Sequence, residues 1–232
     1  MHQHIGIVAC SAEGAALCYR TICVKGANLL GKYIHPEVTM HTFPLNRYSE
    51  YFEVGDWYGV ADLMLSSTEK LASVGAEFAI CPDNTIHQAF ELFIDKSPIP
   101  WLHIAEEVIA EAKRQQYKRL AILGTQLLME GPVYATKLAD TDIEYRIPEP
   151  EDRKKINSII FNELVNGVFT TEARDYFNSV TDGLKKQGCD AVVLGCTEIP
   201  LLITPETSPL PTLDSTRILA RAALVKAIIT NP

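Results

Sequence analysis

The chain has 232 residues, of which 47% are hydrophobic and 22% are charged, and its formal net charge is −8. This composition is typical of a globular protein and excludes disordered and collagen-like classes. An acidic chain without a cluster of basic residues also argues against binding to nucleic acid or to an anionic membrane.

The apolar runs and the cysteines indicate a protein of a reducing compartment. No apolar run reaches the roughly 18 residues of a membrane helix, and the start of the chain shows no secretion signal, so we expect a cytoplasmic protein. Its six cysteines are too few for a disulfide scaffold, and none forms a CxxC pair. Metal-ligand spacings and nucleotide-binding motifs are also missing, so we expect no cofactor.

Short apolar runs alternate with amphipathic stretches along the whole chain. Strands are predicted at 4–9, 38–42, 77–81, 119–124, 143–146 and 191–194. Helices are predicted at 13–30, 58–74, from after His103 to about 116, at 132–138, at 152–188 with a break near Gly167, and at 216–229. Continuous apolar strands between helices favour an α/β fold whose parallel strands are covered on both faces.

A faint internal repeat relates the first part of the chain to the second. Residues 71–85 align with residues 184–198 at a constant offset of 113, which places Asp83 opposite Cys196. The first predicted strand aligns with the strand at 119–124 at an offset of 115. A chance likeness of two α/β units is the alternative explanation.

The repeat predicts two similar parallel-sheet α/β halves related by a pseudo-two-fold axis, with the site in the cleft between them. We expect residues 1–100 and 209–232 to form the first half and residues 101–208 to form the second. Open α/β sheets bind ligands beyond the carboxyl ends of their strands. Asp83 and Cys196 would then approach one small molecule from opposite sides.

Two proton-exchanging groups on opposite sides of one carbon suit the inversion of a stereocentre. The thiolate is the basic form of cysteine, and a helix N-terminus favours it. Cys196 and Asp83 each precede a predicted helix start, where backbone N–H groups can hold a substrate carboxylate and stabilise an enolate.

Several segments of the chain resemble the cofactor-independent aspartate/glutamate racemase superfamily. Residues 82–87, with the sequence PDNTIH, look like its PCNTxH segment, and residues 195–198, GCTE, match its second hallmark. The resemblance spans nearly the whole chain. The family usually employs two cysteines as its base pair, and Asp83 stands here in place of the first one.

The resemblance implies an amino-acid racemase that needs no pyridoxal phosphate and acts on aspartate, glutamate or a related small acidic amino acid. Cys196 and Asp83 would exchange the α-proton on opposite faces. Six further residues are expected to bind the substrate: Asn84, Thr85, Thr197, Arg47, Thr125 and Ser11. Family members are commonly homodimers, so the resemblance also implies a homodimer.

Two alternative functions stay open at this point. Relatives with one working cysteine decarboxylate or isomerise small dicarboxylates, and Cys196 alone suits that lyase or isomerase chemistry. A homologue that binds an amino acid without turning it over is the other alternative. Asp83 also has a purely structural interpretation, because aspartate often caps a helix N-terminus.

Overall fold

The computed structural model describes residues 2–229, which divide into two compact units. One unit comprises the chain up to Glu107 together with the segment from Thr216 onward, and the other is Val108–Ser215. The domain boundaries expected from the sequence, 1–100 with 209–232 and 101–208, stay a prediction. Their outermost residues, Met1 and 230–232, lie outside the described residues.

The first unit is built on a four-stranded sheet in which all neighbouring strands are parallel. From edge to edge the strands are β2 (Val38–Thr42), β1 (Ile5–Ala9), β3 (Phe78–Ile80) and β4 (Trp101–Leu102). The helices are α1 (Ala12–Leu30), α2 (Leu45–Phe52), α3 (Trp57–Ser73) and α4 (Ile104–Arg114), which continues into the second unit, with 3₁₀ segments at Thr85–Leu92 and Ile94–Lys96 after β3.

The central strand β1 is fully buried because both faces of the first sheet are covered. Ile5 and Ile7 pack in one cluster with residues of α1 and of the last helix, such as Ile22 and Leu219. Val8 packs on the opposite face with the residues of α2 and α3. A strand buried on both faces must be apolar throughout, which explains the continuous run IGIVA.

The second unit has a parallel sheet of the same size. Its strands, from edge to edge, are β6 (Glu144–Arg146), β5 (Arg119–Leu123), β7 (Ala191–Leu194) and β8 (Thr212–Asp214). The helices are α5 (Gln126–Glu130), α6 (Pro132–Leu138), α7 (Pro150–Asn162), α8 (Thr171–Lys186) and α9 (Ile199–Leu202), and α10 (Ser215–Ile228) returns to the first unit. The predicted break near Gly167 is confirmed, because that residue has a left-handed φ of 74° between α7 and α8.

The two sheets have the same strand order and the same register. Ile5 is opposite Phe78 in the first sheet, and Leu120 is opposite Ala191 in the second. These pairs differ by 115 and 113 residues, the offsets of the sequence repeat. The predicted α/β fold with two similar halves is therefore confirmed.

None of the helices within residues 2–229 has the length and hydrophobicity needed to span a bilayer.

Candidate active site

Polar side chains of the first unit collect where β1 and β3 end. The carboxyl ends of parallel strands lie at one edge of a sheet, which is where α/β proteins bind ligands. Ser11 follows β1 and caps α1, since its Oγ accepts a hydrogen bond of 3.3 Å from the N–H of Gly14. The N–H of Ser11 donates in turn to Oδ2 of Asp83 at 3.2 Å. The fold therefore brings Ser11 and Asp83 together from distant parts of the sequence.

The Asp83 carboxylate accepts from a backbone N–H at the start of α1. A backbone N–H donor stabilises a carboxylate more than a carboxylic acid, and this donor stands at the N-terminus of a helix of 19 residues. The side chain is half-buried. A charged, partly open carboxylate can act as a general base.

The turn that carries Asp83 is held through its main-chain oxygen. The thiol of Cys81 donates to this oxygen at 3.8 Å, and Nδ1 of the buried His87 donates to it at 2.9 Å. The proton of His87 therefore resides on Nδ1 when this bond forms. Asn84 is buried and Thr85, which begins the 3₁₀ segment, is half-buried.

Arg47 lies on α2, beyond the end of the edge strand β2, and so belongs to the same edge of the first sheet. Its side chain is exposed, and the guanidinium carbon lies 4.8 Å from the centre of the Phe43 ring. A cation over an aromatic ring keeps much of its hydration at the surface. The position of Arg47 leaves it open to solvent and to an anionic group.

Cys81 is poorly suited to replace the cysteine that the family has at position 83. The side chain is fully buried, and burial, followed by the charge of Asp83, raises the pKa of the Cys81 thiol well above its usual range. A thiol that keeps its proton is not a base.

In the second unit the strand β7 ends at Leu194 and is followed by the turn that carries Cys196. Gly195 is required there by the close approach of β5, because an added Cβ would lie 2.8 Å from the carbonyl oxygen of Leu123. Cys196 is half-buried, whereas Thr197 and Glu198 are 2% and 3% exposed. The fold thus presents the thiol at the surface of a closely packed turn.

The thiol of Cys196 donates a hydrogen bond of 2.9 Å to Oε2 of Glu198. The sequence predicted a site at Cys196 but gave no role to Glu198, because only the shape of the turn shows which group the carboxylate contacts. Ser215 was also missed: its buried Oγ donates to the carbonyl oxygen of Leu194 at 2.8 Å and supports the end of β7.

Thr125 occupies the end of β5, the strand next to β7 in the second sheet. Its Oγ1 caps α5 by accepting from the N–H of Leu128 at 3.2 Å. The two strand ends touch, since an added Cβ on Gly124 would lie 3.2 Å from the oxygen of Gly195. Thr125 and Thr197 therefore flank Cys196 at one edge of this sheet.

The predicted site residues thus form two groups, one at the carboxyl edge of each sheet. The first group contains Ser11, Arg47, Asp83, Asn84 and Thr85, and the second contains Thr125, Cys196 and Thr197. Within residues 2–229 there is no group of three or more His, Cys, Asp or Glu side chains that could hold a metal ion.

Similar proteins identify the family of the chain. A model of the Asp/Glu/hydantoin racemase family matches residues 28–223. RacX of Bacillus subtilis (strain 168), a broad specificity amino-acid racemase, is 25% identical over 162 residues, which are 69% of each chain. A solved structure from Yersinia pestis, a candidate Asp/Glu racemase, has a TM-score of 0.89 and 29% identity and covers 97% of this chain and 99% of its own. The structure of an aspartate racemase homologue from Pyrococcus horikoshii OT3 has a TM-score of 0.83 and 25% identity, over 98% and 99% of the two chains. The chain therefore belongs to the Asp/Glu/hydantoin racemase family and is an isomerase of the amino-acid racemase class.

Proposed function

We propose that the protein racemises a small acidic amino acid, aspartate, glutamate or a close relative, in a cleft between the two halves. In this proposal Asp83 and Cys196 exchange the α-proton on opposite faces of the substrate. No cofactor takes part in the proposed reaction, since the two side chains and the backbone of the turns supply its acid, its base and its anion-binding groups.

The observation that carries the proposal is the structural equivalence of the two side chains. Asp83 follows Ile80 by three residues, and Cys196 follows Val193 by three. Ile80 of β3 is opposite Ile7 of β1 in the first sheet. Val193 of β7 is opposite Ile122 of β5, the corresponding strand of the second sheet. The duplicated fold therefore offers one proton-exchanging group at the same position of each half.

The chemistry then follows from the two groups. In one direction the Asp83 carboxylate removes the α-proton, and the electrons of the broken C–H bond move into the substrate carboxylate to give an enolate. The Cys196 thiol then delivers its proton to the opposite face of the α-carbon, which inverts the configuration. In the other direction the thiolate is the base and protonated Asp83 is the acid.

Binding of the substrate is assigned to the polar groups around the two turns. We assign the amino-acid carboxylate and amine to Ser11, Asn84, Thr85, Thr125 and Thr197. The exposed Arg47 is assigned to the second carboxylate, since a guanidinium binds a carboxylate with two parallel hydrogen bonds. The proposal includes a homodimer, as the family resemblance implies, and a location in the cytoplasm.

Exchange in heavy water tests the proposal. L- and D-aspartate and L- and D-glutamate are incubated with the protein in D₂O, while α-deuteration is followed by NMR and inversion by optical rotation. Neutral amino acids are included because RacX has broad specificity. Inversion with deuterium at the α-carbon is the expected result. Loss of a carboxylate, migration of a double bond, or binding without turnover would each contradict a racemase.

A pair of cysteine variants gives the matched control. Cys196 and Cys23 are the two partly exposed cysteines of the described chain, and Cys23 lies on α1. We expect Cys196→Ser to abolish nearly all turnover and Cys23→Ser to leave it unchanged. A fully active Cys196→Ser variant would exclude the thiol as an essential acid or base.

A further inference from the structure

We propose that Glu198 is a positioning residue that keeps the proton on Cys196, so that Cys196 enters the reaction as the acid and Asp83 as the base. The catalytic meaning of this inference rests on the proposed function. The proton affinity of the thiol, however, is a property of the resting protein and can be measured without any turnover.

The turn holds the two side chains in a fixed relation. The thiol donates to Oε2 of Glu198 at 2.9 Å, and Glu198 is 3% exposed. The backbone is fixed on both sides, because the oxygen of Cys196 accepts from the N–H of Ile199 at 3.2 Å and that of Glu198 accepts from the N–H of Leu201 at 3.0 Å. These bonds fix the main chain of the turn, and the burial of Glu198 restricts the conformations open to its side chain.

The chemistry of the two groups decides where the proton resides. A free thiol binds its proton more tightly than a free carboxylate by roughly four pH units. The stable form of the pair is therefore a thiol that donates to a carboxylate. Removing the proton would place a thiolate beside that carboxylate, and like charges at short distance disfavour ionisation. Partial burial strengthens the repulsion because water screens it less.

Charged groups on other elements of the second unit have contacts of their own. Arg153 of α7 forms an ion pair of 2.8 Å with Glu130 of α5, so its charge is compensated. Asp152 accepts from the hydroxyl of Tyr176 at 2.5 Å. Asp214 ends β8, the strand beside β7, and is opposite Leu194 in the sheet.

A functional asymmetry follows for the resting enzyme. Asp83 accepts from the Ser11 N–H as a charged base, and Cys196 holds its proton as an acid. This state is ready for the enantiomer whose α-hydrogen faces Asp83. A C–H bond breaks as the carboxyl O–H forms, and the S–H bond breaks as the new C–H bond forms on the opposite face. To restore the resting state, Asp83 releases its proton to water and the thiolate takes one up from water, which Glu198 favours.

The experiment measures the rate at which iodoacetamide alkylates Cys196 between pH 6 and pH 11, read on the isolated peptide by mass spectrometry. In the wild-type protein we expect the midpoint above the ordinary thiol value of about 8.5. Glu198→Gln keeps the shape and removes the charge. It should lower the midpoint by about one pH unit and raise alkylation at pH 7 about tenfold. Glu151→Gln, on an exposed residue that pairs with Lys154, should change neither.

A wild-type midpoint at or below the ordinary thiol value would overturn the inference without any variant. A Glu198→Gln protein with wild-type thermal unfolding and an unchanged midpoint would also overturn it. If Glu198→Gln perturbs the fold, Glu198→Asp serves as the second variant. It retains the charge, so its alkylation midpoint should stay above the ordinary thiol value. If the alkylation midpoints have the expected values but no amino acid exchanges its α-proton, the proposed function is wrong. The inference that Glu198 keeps the proton on Cys196 is then still supported.

Discussion

The ends of β5 and β7 are in contact at Gly195. We therefore expect an added methyl group at this position to destabilise the protein and to displace Cys196. A Cβ at Gly195 would lie 2.5 Å from Cδ2 of Leu128 and 2.8 Å from the carbonyl oxygen of Leu123. The first atom ends a flexible side chain, but the second is backbone of the neighbouring strand. The N–H of Gly195 also donates to that same oxygen at 2.7 Å. Gly195→Ala must therefore separate the two strands and displace Cys196.

The cost is that of overpacking a closely packed core, about 1–3 kcal/mol of unfolding free energy. At roughly 2–4 °C per kcal/mol for a chain of this size, the thermal midpoint should fall by about 2–12 °C. Circular dichroism melting measures this fall, and alkylation of Cys196 in the folded protein reports the displacement of the thiol.

Two comparisons isolate the cause. Gly183→Ala is the matched control, because Gly183 lies inside α8 and an added Cβ meets no atom within 4 Å. It should stabilise the protein by about 0.5–1 kcal/mol. Leu128→Ala alone should cost about 2–5 kcal/mol, because Leu128 is 1% exposed. It removes the side-chain clash but not the one with the backbone of Leu123, so adding Gly195→Ala should lower the stability of the Leu128→Ala protein further. A Gly195→Ala protein that melts and alkylates like the wild type would refute the reasoning.

Three further predictions follow from contacts within each unit. Asp83→Asn should lower racemisation by about 10²–10⁴-fold in a polarimetric assay, with an unchanged thermal midpoint, because the amide oxygen can still accept from Ser11; retained activity would contradict this role. Ser215→Ala leaves the buried oxygen of Leu194 without its donor and should cost about 1–3 kcal/mol in urea unfolding; an unchanged stability would be the contrary result. Burial raises the pKa of Cys81, so the folded chain keeps a proton that the unfolded chain loses above about pH 8.5. Stability should therefore fall as pH rises beyond that value, by up to about 1.4 kcal/mol per pH unit, and Cys81→Ala should reduce this slope.

The sequence predicted most of the strands and the long helices. The strands Val38–Thr42 and Ala191–Leu194 and the helix Pro132–Leu138 have their predicted bounds. The repeat was detectable because both halves place a glycine, an acidic residue and an apolar strand in the same order. Hydrophobic pattern carries this information without any knowledge of tertiary contacts.

The short elements were not predictable in the same way. Leu45–Phe52 is a helix of eight residues that begins after a proline, and Thr212–Asp214 is a strand of three residues in which only Leu213 is fully buried. Such segments show no full period of apolar residues. Their structure is fixed by the sheet or helix against which they pack, which the local sequence does not reveal.

The candidate site was predictable as two turns but not as a set of contacts. Motif and repeat pointed to Asp83 and Cys196. The hydrogen bond from Ser11 to Asp83 joins residues 72 positions apart, and no local signal encodes it. The bond from Cys196 to Glu198 spans two residues, yet it depends on the conformation of a turn that neither helical nor strand periodicity describes.

The central claim is that Asp83 and Cys196 stand on opposite sides of one α-carbon, and a crystal structure with bound aspartate or glutamate tests it most directly. We predict that an oxygen of Asp83 and the sulfur of Cys196 lie on opposite faces of the α-carbon, each near the ~3–3.5 Å of reacting atoms. A ligand bound with both groups on the same face, or bound away from either of them, would contradict the account.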